Sequence, residues 1–145
     1  SSETKKKKAE IFSQIVTNKL CDSKLIIKEV FNFIDQNYQI FNLHIVSASE
    51  QNELQYICKF LNLNKYFLSI IGSPQTKNLN VKELINNHHY KKNETVLVGD
   101  AINDFNAAKF NDINFVGYNN PELKKNKFIF YIDNFIEFNS YLKKN

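Results

Sequence analysis

Three groups of residues in this chain have the types and spacing to act on a charged substrate. The densest is Thr95-Val96-Leu97-Val98-Gly99-Asp100-Ala101-Ile102-Asn103-Asp104, where an apolar run ends in glycine and two carboxylates follow, four residues apart. If the first carboxylate closes a strand and the second opens a helix, both can face one pocket. Such oxygen donors suit a hard cation like Mg²⁺, which takes one or two carboxylates and fills its shell with water and phosphate oxygens. Both residues also have structural uses, as a helix cap and as a first-turn acid favoured by the helix dipole. The second group ends at Ser47, after Ile45 and Val46. A hydroxyl there can hold an anionic oxygen together with free helix N–H groups, and Ser47-x-x-Glu50 is equally a capping-box pattern. The third is Lys77, after Gly72-Ser73-Pro74-Gln75-Thr76, at the start of a predicted helix. A lysine there opposes the dipole. That is tolerable on an exposed surface, and expected where the lysine shares an anionic ligand with the helix end.

The elements that must position these residues follow from periodicity. Residues 95–98 read as a buried parallel strand, Gly99 as the sharp turn at its end, and Asp100 as a group at the carboxyl edge, where open α/β sheets bind ligands. A helix over 103–110 follows, with Ala107 and Ala108 permitting close packing. Upstream, Ile11, Phe12, Ile15 and Val16 have helical spacing and predict a helix over 9–20. Asp22 or Ser23 can cap a second helix carrying Ile26, Ile27, Val30, Phe31 and Ile34. A strand over 38–46 comes next, then a helix with Leu54, Ile57, Cys58 and Leu61 on one face, a short strand over 66–71, and a helix bearing Val81, Leu84 and Ile85. Strands over 113–116 and 128–132 and a final helix with Phe135, Ile136 and Phe138, capped by Asp133, complete the chain. Strands alternating with helices predict a parallel sheet covered on both faces.

Composition excludes several classes of function. At 145 residues and 43% hydrophobic, with 13 Phe and 7 Tyr, the chain has the content of one globular domain. The net charge of +4 comes from lysine without arginine, four of the lysines standing together at 5–8. With no arginine and no basic–aromatic stripe, nucleic acid is not an expected partner. No apolar run reaches membrane-span length and no signal-peptide pattern opens the chain, so the expectation is no membrane partner and a cytoplasmic location. Cys21 and Cys58 are far apart in no metal-ligand spacing and read as small hydrophobes in a reducing compartment. His88 and His89 end a helix, as surface groups or C-terminal cations.

The ordered set Ile45-Val46-Ser47, Gly72-Ser73-Pro74-x-x-Lys77 and Gly99-Asp100-x-x-x-Asp104 resembles the second, third and fourth motifs of the haloacid dehalogenase (HAD) superfamily of phosphatases and related hydrolases. Ala107-Ala108 and Ile113-x-Phe115-Val116-Gly117 look like that family's usual sequel. The family's first motif, Asp-x-Asp at the end of its first strand, supplies the nucleophile and the general acid/base. No Asp-x-Asp follows an apolar strand here, and Asp22 and Asp35 flank helices.

The resemblance therefore implies an α/β, Rossmann-like (HAD-like) parallel sheet with helices on both faces, its first strand and most of any cap missing. Residues 1–22 would be a tail and helix, the end of a cap, and 23–145 an incomplete core with a gap in mid-sheet. Its open edges would need a strand-completing partner or self-association. It also implies Mg²⁺-dependent hydrolysis of a small phosphorylated metabolite by a phosphomonoesterase. Ser47 would bond a phosphoryl oxygen, Lys77 would offset charge, and Asp100 with Asp104, direct or through water, would hold Mg²⁺. One rival is a non-catalytic HAD-like binding or scaffold module lacking the nucleophile. Another is an unrelated doubly wound domain, disfavoured because the chain has no Gly-rich phosphate loop.

Overall fold

The computed structural model describes residues 9–12 and 27–144. Six strands, β1 (Ala9–Phe12), β2 (Asn42–Glu50), β3 (Ser69–Ser73), β4 (Thr95–Gly99), β5 (Asn114–Tyr118) and β6 (Phe130–Ile132), form one sheet in the order β3-β2-β1-β4-β5-β6. Every pairing is parallel. Five helices accompany it: α1 (Lys28–Asn37), α2 (Gln51–Phe60), α3 (Lys77–His88), α4 (Ile102–Phe110) and α5 (Phe135–Lys144).

Alternation along the strands divides the core into two layers. Val96 and Val98 of β4 join a cluster with Val30, Phe33 and Ile34 of α1, Leu54, Ile57 and Cys58 of α2, and Phe135 and Phe138 of α5. Leu97, between them, joins Val81, Leu84 and Ile85 of α3 and Ala108 of α4 on the opposite face. All five residues of β4 are buried, which accounts for their continuous apolar run. The parallel α/β sheet with two covered faces is thus the architecture the alternation predicts.

The expected gap in mid-sheet is not there. Ala9–Phe12 is a strand, not the first turn of a helix over 9–20, and it lies between β2 and β4. These residues therefore belong to the core and not to a cap. The reason is backbone accounting: β2 and β4 both present unpaired N–H and C=O groups to the middle of the sheet, and an apolar segment that satisfies them outcompetes a helix with weak spacing. Phe12 then fills the core, 1% exposed, with ring centroids 6.4 Å from Phe33, Phe67 and Phe135. The rest of the expected helix, and the caps expected at Asp22 and Ser23, lie outside the described residues.

Other boundaries shift as well. The strand expected over 38–46 runs Asn42–Glu50, and the one expected over 66–71 is a 3₁₀ turn, Asn64–Tyr66, followed by β3. Ser47 does not cap α2: the strand continues past it, and Glu50 accepts from the N–H groups of Asn52 and Glu53. At the last helix Asn134 accepts from the Glu137 N–H, while Asp133 pairs with Lys124. Ile136 is 77% exposed and not on the buried face.

Candidate functional site

The carboxyl ends of β2, β1 and β4 lie side by side. Phe12 is in register with both Ile45 and Val98, so the strands that lead to Ser47 and Asp100 flank β1. At about 4.8 Å per strand, about 10 Å separates Ile45 from Val98.

Asp100 follows β4, and Asp104 sits in the first turn of α4. Asp104 is fully buried, and both its oxygens are engaged. Oδ2 accepts from the N–H groups of Asp100 and Ala101, 3.1 Å each, which ties the first turn of α4 back to the strand end. Oδ1 accepts from the Lys77 ammonium, whose side chain is 15% exposed. This pairing resolves the mismatch of a lysine at the first position of α3: a buried carboxylate from the neighbouring element offsets the charge that the helix dipole disfavours. Gly99 is required here, though not for a left-handed turn, since no glycine has positive φ. A Cβ at Gly99 would lie 2.4 Å from Asp104 Oδ2, so glycine admits the carboxylate against the strand end.

Asp100 is half-buried and acidic beside another acid. Burial, and then the charge of Asp104, push its carboxyl above its ordinary value, against smaller opposing pulls from its own backbone N–H and from Lys77. Its carbonyl is held by Asn120 Nδ2 at 2.8 Å. Ser47 stands where β2 slips in register against β3, between Val46 and Glu50, and its hydroxyl accepts from the Ser49 N–H at 3.1 Å. Lys77, Asp100 and Asp104 thus form one connected group, and Ser47 stands across β1 from them.

Among the described residues no group of three or more His, Cys, Asp or Glu gathers closely enough to hold a metal.

Several positioning residues escaped the motif reading. Asn80, 4% exposed in α3, donates to the carbonyls of Gly72 (3.2 Å) and Gln75 (3.0 Å) and accepts from Gln75 Nε2 (2.8 Å). Asn111, 5% exposed at the end of α4, donates to the Asn78 carbonyl of α3 (3.1 Å). The available signal was a polar residue at a position whose helical spacing demanded an apolar one. At the opposite end of the sheet, fully buried His44 binds Ser69 Oγ and Tyr90 OH, and its ring packs against His88. His88 itself is exposed, as a surface group, with its ring stacked on Tyr90.

The fold is that of known hydrolases. The chain resembles a haloacid dehalogenase-like family hydrolase of Streptococcus pneumoniae (TM-score 0.69, 16% identity, covering 80% of this chain and 59% of that one). It also resembles a HAD-superfamily hydrolase of Ehrlichia chaffeensis (TM-score 0.68, 22% identity, 92% and 62%). It thus spans about three-fifths of these two proteins. It matches almost end to end the core domain of a proposed phosphoglycolate phosphatase from Streptococcus pneumoniae TIGR4 (TM-score 0.68, 17% identity, 98% and 99%). No curated protein matches significantly by sequence. The family model described as haloacid dehalogenase-like hydrolase matches residues 1–118. With that match over most of its length and this arrangement of strands, the chain belongs to the haloacid dehalogenase-like hydrolase family.

Proposed function

We propose that the strand ends carrying Ser47, Lys77, Asp100 and Asp104 bind the phosphoryl group of a small phosphorylated metabolite with Mg²⁺. They would form the electrostatic half of a phosphomonoester hydrolase working in a reducing, cytoplasmic setting. The observation that carries this reading is the Lys77–Asp104 pair, held beside half-buried Asp100 at the sheet's carboxyl edge.

The roles follow from that arrangement. Lys77, aimed by Asp104, offsets negative charge on the phosphoryl group, and Ser47 donates to one of its oxygens. Asp100 supplies the hard oxygen donor for Mg²⁺, which fits a site of few carboxylates completed by water and phosphate. When bound, Mg²⁺ neutralises phosphoryl charge. Asp104 acts through Lys77 and the strand-end turn.

A second reading has its own observation. After β1 the sequence runs Ser13-Gln14-Ile15, with no carboxylate before Asp22. A strand so followed brings no aspartyl nucleophile, and on this reading the same residues bind phosphate without turnover.

Titration calorimetry with inorganic phosphate and Mg²⁺, alongside phosphate release from a panel of small phosphomonoesters, tests both. Mg²⁺-dependent phosphate binding is expected, weakened about tenfold or more in Lys77→Ala and Asp100→Asn. Phosphate release supports the hydrolase, and binding without release supports the second reading. Absence of Mg²⁺-dependent binding sinks both.

A further inference from the structure

We infer that Gln51 and Asn80 are positioning residues that set the spacing between Ser47 and Lys77 by gripping the N–H and the carbonyl of Gly72, in two successive peptide groups; this rests on the phosphate-binding reading above. Gln51 is the first residue of α2, directly after the register shift between Val46 and Glu50 of β2. Its Oε1 accepts from the Gly72 N–H, and its Nε2 donates to the Ile70 carbonyl at 2.9 Å. Asn80 Nδ2 donates to the Gly72 carbonyl from the other side. Gly72 is buried, and a Cβ there would lie 2.3 Å from the Ser49 carbonyl oxygen, so the peptide is pressed against the segment that follows Ser47.

The clamp joins the two elements that present the anion-binding groups. On one side, Ser47, Ser49 and Gln51 belong to the β2–α2 junction. On the other, Asn80 lies one turn past Lys77 in α3, and its further bonds to Gln75 fix the loop that delivers Lys77. Thr76 completes the entry by accepting from the Leu79 N–H. Both clamp residues are amides, which donate and accept without adding charge beside an anion site. Removing either frees the Gly72–Thr76 loop without touching Ser47 or Lys77.

The test uses Gln51→Ala, Asn80→Ala and the double variant, with Ile85→Val as a control that loosens the same helix through its apolar face. The readouts are inorganic phosphate affinity with Mg²⁺, thermal midpoint, and the Lys77 side-chain ¹³Cε resonance, assigned by its absence in Lys77→Ala. Each clamp variant is expected to lose about tenfold or more in phosphate affinity, since small displacements of a binding group are costly. The Lys77 resonance should move toward those of exposed lysines. The double variant should lose less than the product of the singles, as side chains acting through one residue do. Ile85→Val should change the midpoint alone. Clamp variants that bind phosphate as the parent does, or that merely match Ile85→Val, would overturn the inference. If the parent chain binds no phosphate, the phosphate-binding reading fails, and the Lys77 resonance alone decides the clamp: displaced supports it, unmoved overturns it.

Discussion

At the scale of single residues, the site is an arrangement of charges that is costly to bury. Asp100 is half-buried next to fully buried Asp104, and Lys77 pairs with Asp104. A carboxyl whose folded pKa lies above its unfolded one contributes stability only while protonated, and it loses that contribution as pH rises through the folded value. Ionisation of Asp100 therefore works against folding. Asp100→Asn should raise the thermal midpoint of the metal-free chain by about 3 °C, the usual sign when a functional charge is removed. On the proposed role of Asp100 in holding Mg²⁺, adding Mg²⁺ should raise the midpoint of the parent and not that of the variant. A lower midpoint in the variant, measured by calorimetry at pH 7, would contradict this account of the charge balance.

At the scale of elements, the junction between β2 and α2 is where local patterns compete. Ser47-x-x-Glu50 and Glu50-x-x-Glu53 both look like helix starts, and the structure chooses Glu50 as the cap. Glu50→Ala should therefore cost about 1 kcal/mol in urea unfolding. Ser47→Ala should cost clearly less, because its hydroxyl accepts only the local Ser49 N–H; equal costs would return the capping role to Ser47. The other decisive element is β1. Its amides pair inside the sheet and should exchange with solvent as slowly as those of β4. Hydrogen exchange followed by NMR at Ile11, Phe12 and Leu97 checks this, and fast exchange at Ile11 and Phe12 would refute the central placement.

At the scale of the whole molecule, two apolar layers sandwich the sheet, and the larger one encloses Cys58. Burial pushes the Cys58 thiol from 9.0 up to about 11 and the Tyr90 phenol from 10.0 up to about 12. The unfolded chain ionises these groups first, so it gains relative to the folded chain as pH rises from about 9 toward 12, and global stability should fall across that window. Urea midpoints at pH 8, 9, 10 and 11 measure the slope, which should be shallower between 9 and 11 in Cys58→Ala. An unchanged slope would mean that Cys58 is not the titrating group. In the parent at pH 8, the thiol should resist disulfide reagents until the chain unfolds. Among the described residues no helix is long and apolar enough to cross a membrane, which agrees with a core organised around a sheet.

Local chemistry carried the parts of this molecule that depend on near neighbours. The run 95–98, the Gly99-Asp100-x-x-x-Asp104 spacing, the apolar faces of α2 and α3 and the loop before Lys77 were all legible, because strand and helix periods and glycine placement act over a few residues. Three other features were decided only by tertiary structure. Ala9–Phe12 became a central strand because two distant strands needed their backbone groups satisfied. Asp104 turned toward Lys77 because a buried carboxylate requires a counter-charge, and the nearest came from another element. Asn80 and Gln51 came to hold one residue, Gly72, which is pressed against Ser49 where the register of β2 and β3 slips. Apart from the Asn80–Gly72 bond, which spans eight residues, each of these joins groups more than twenty residues apart, and no local period encodes such a meeting.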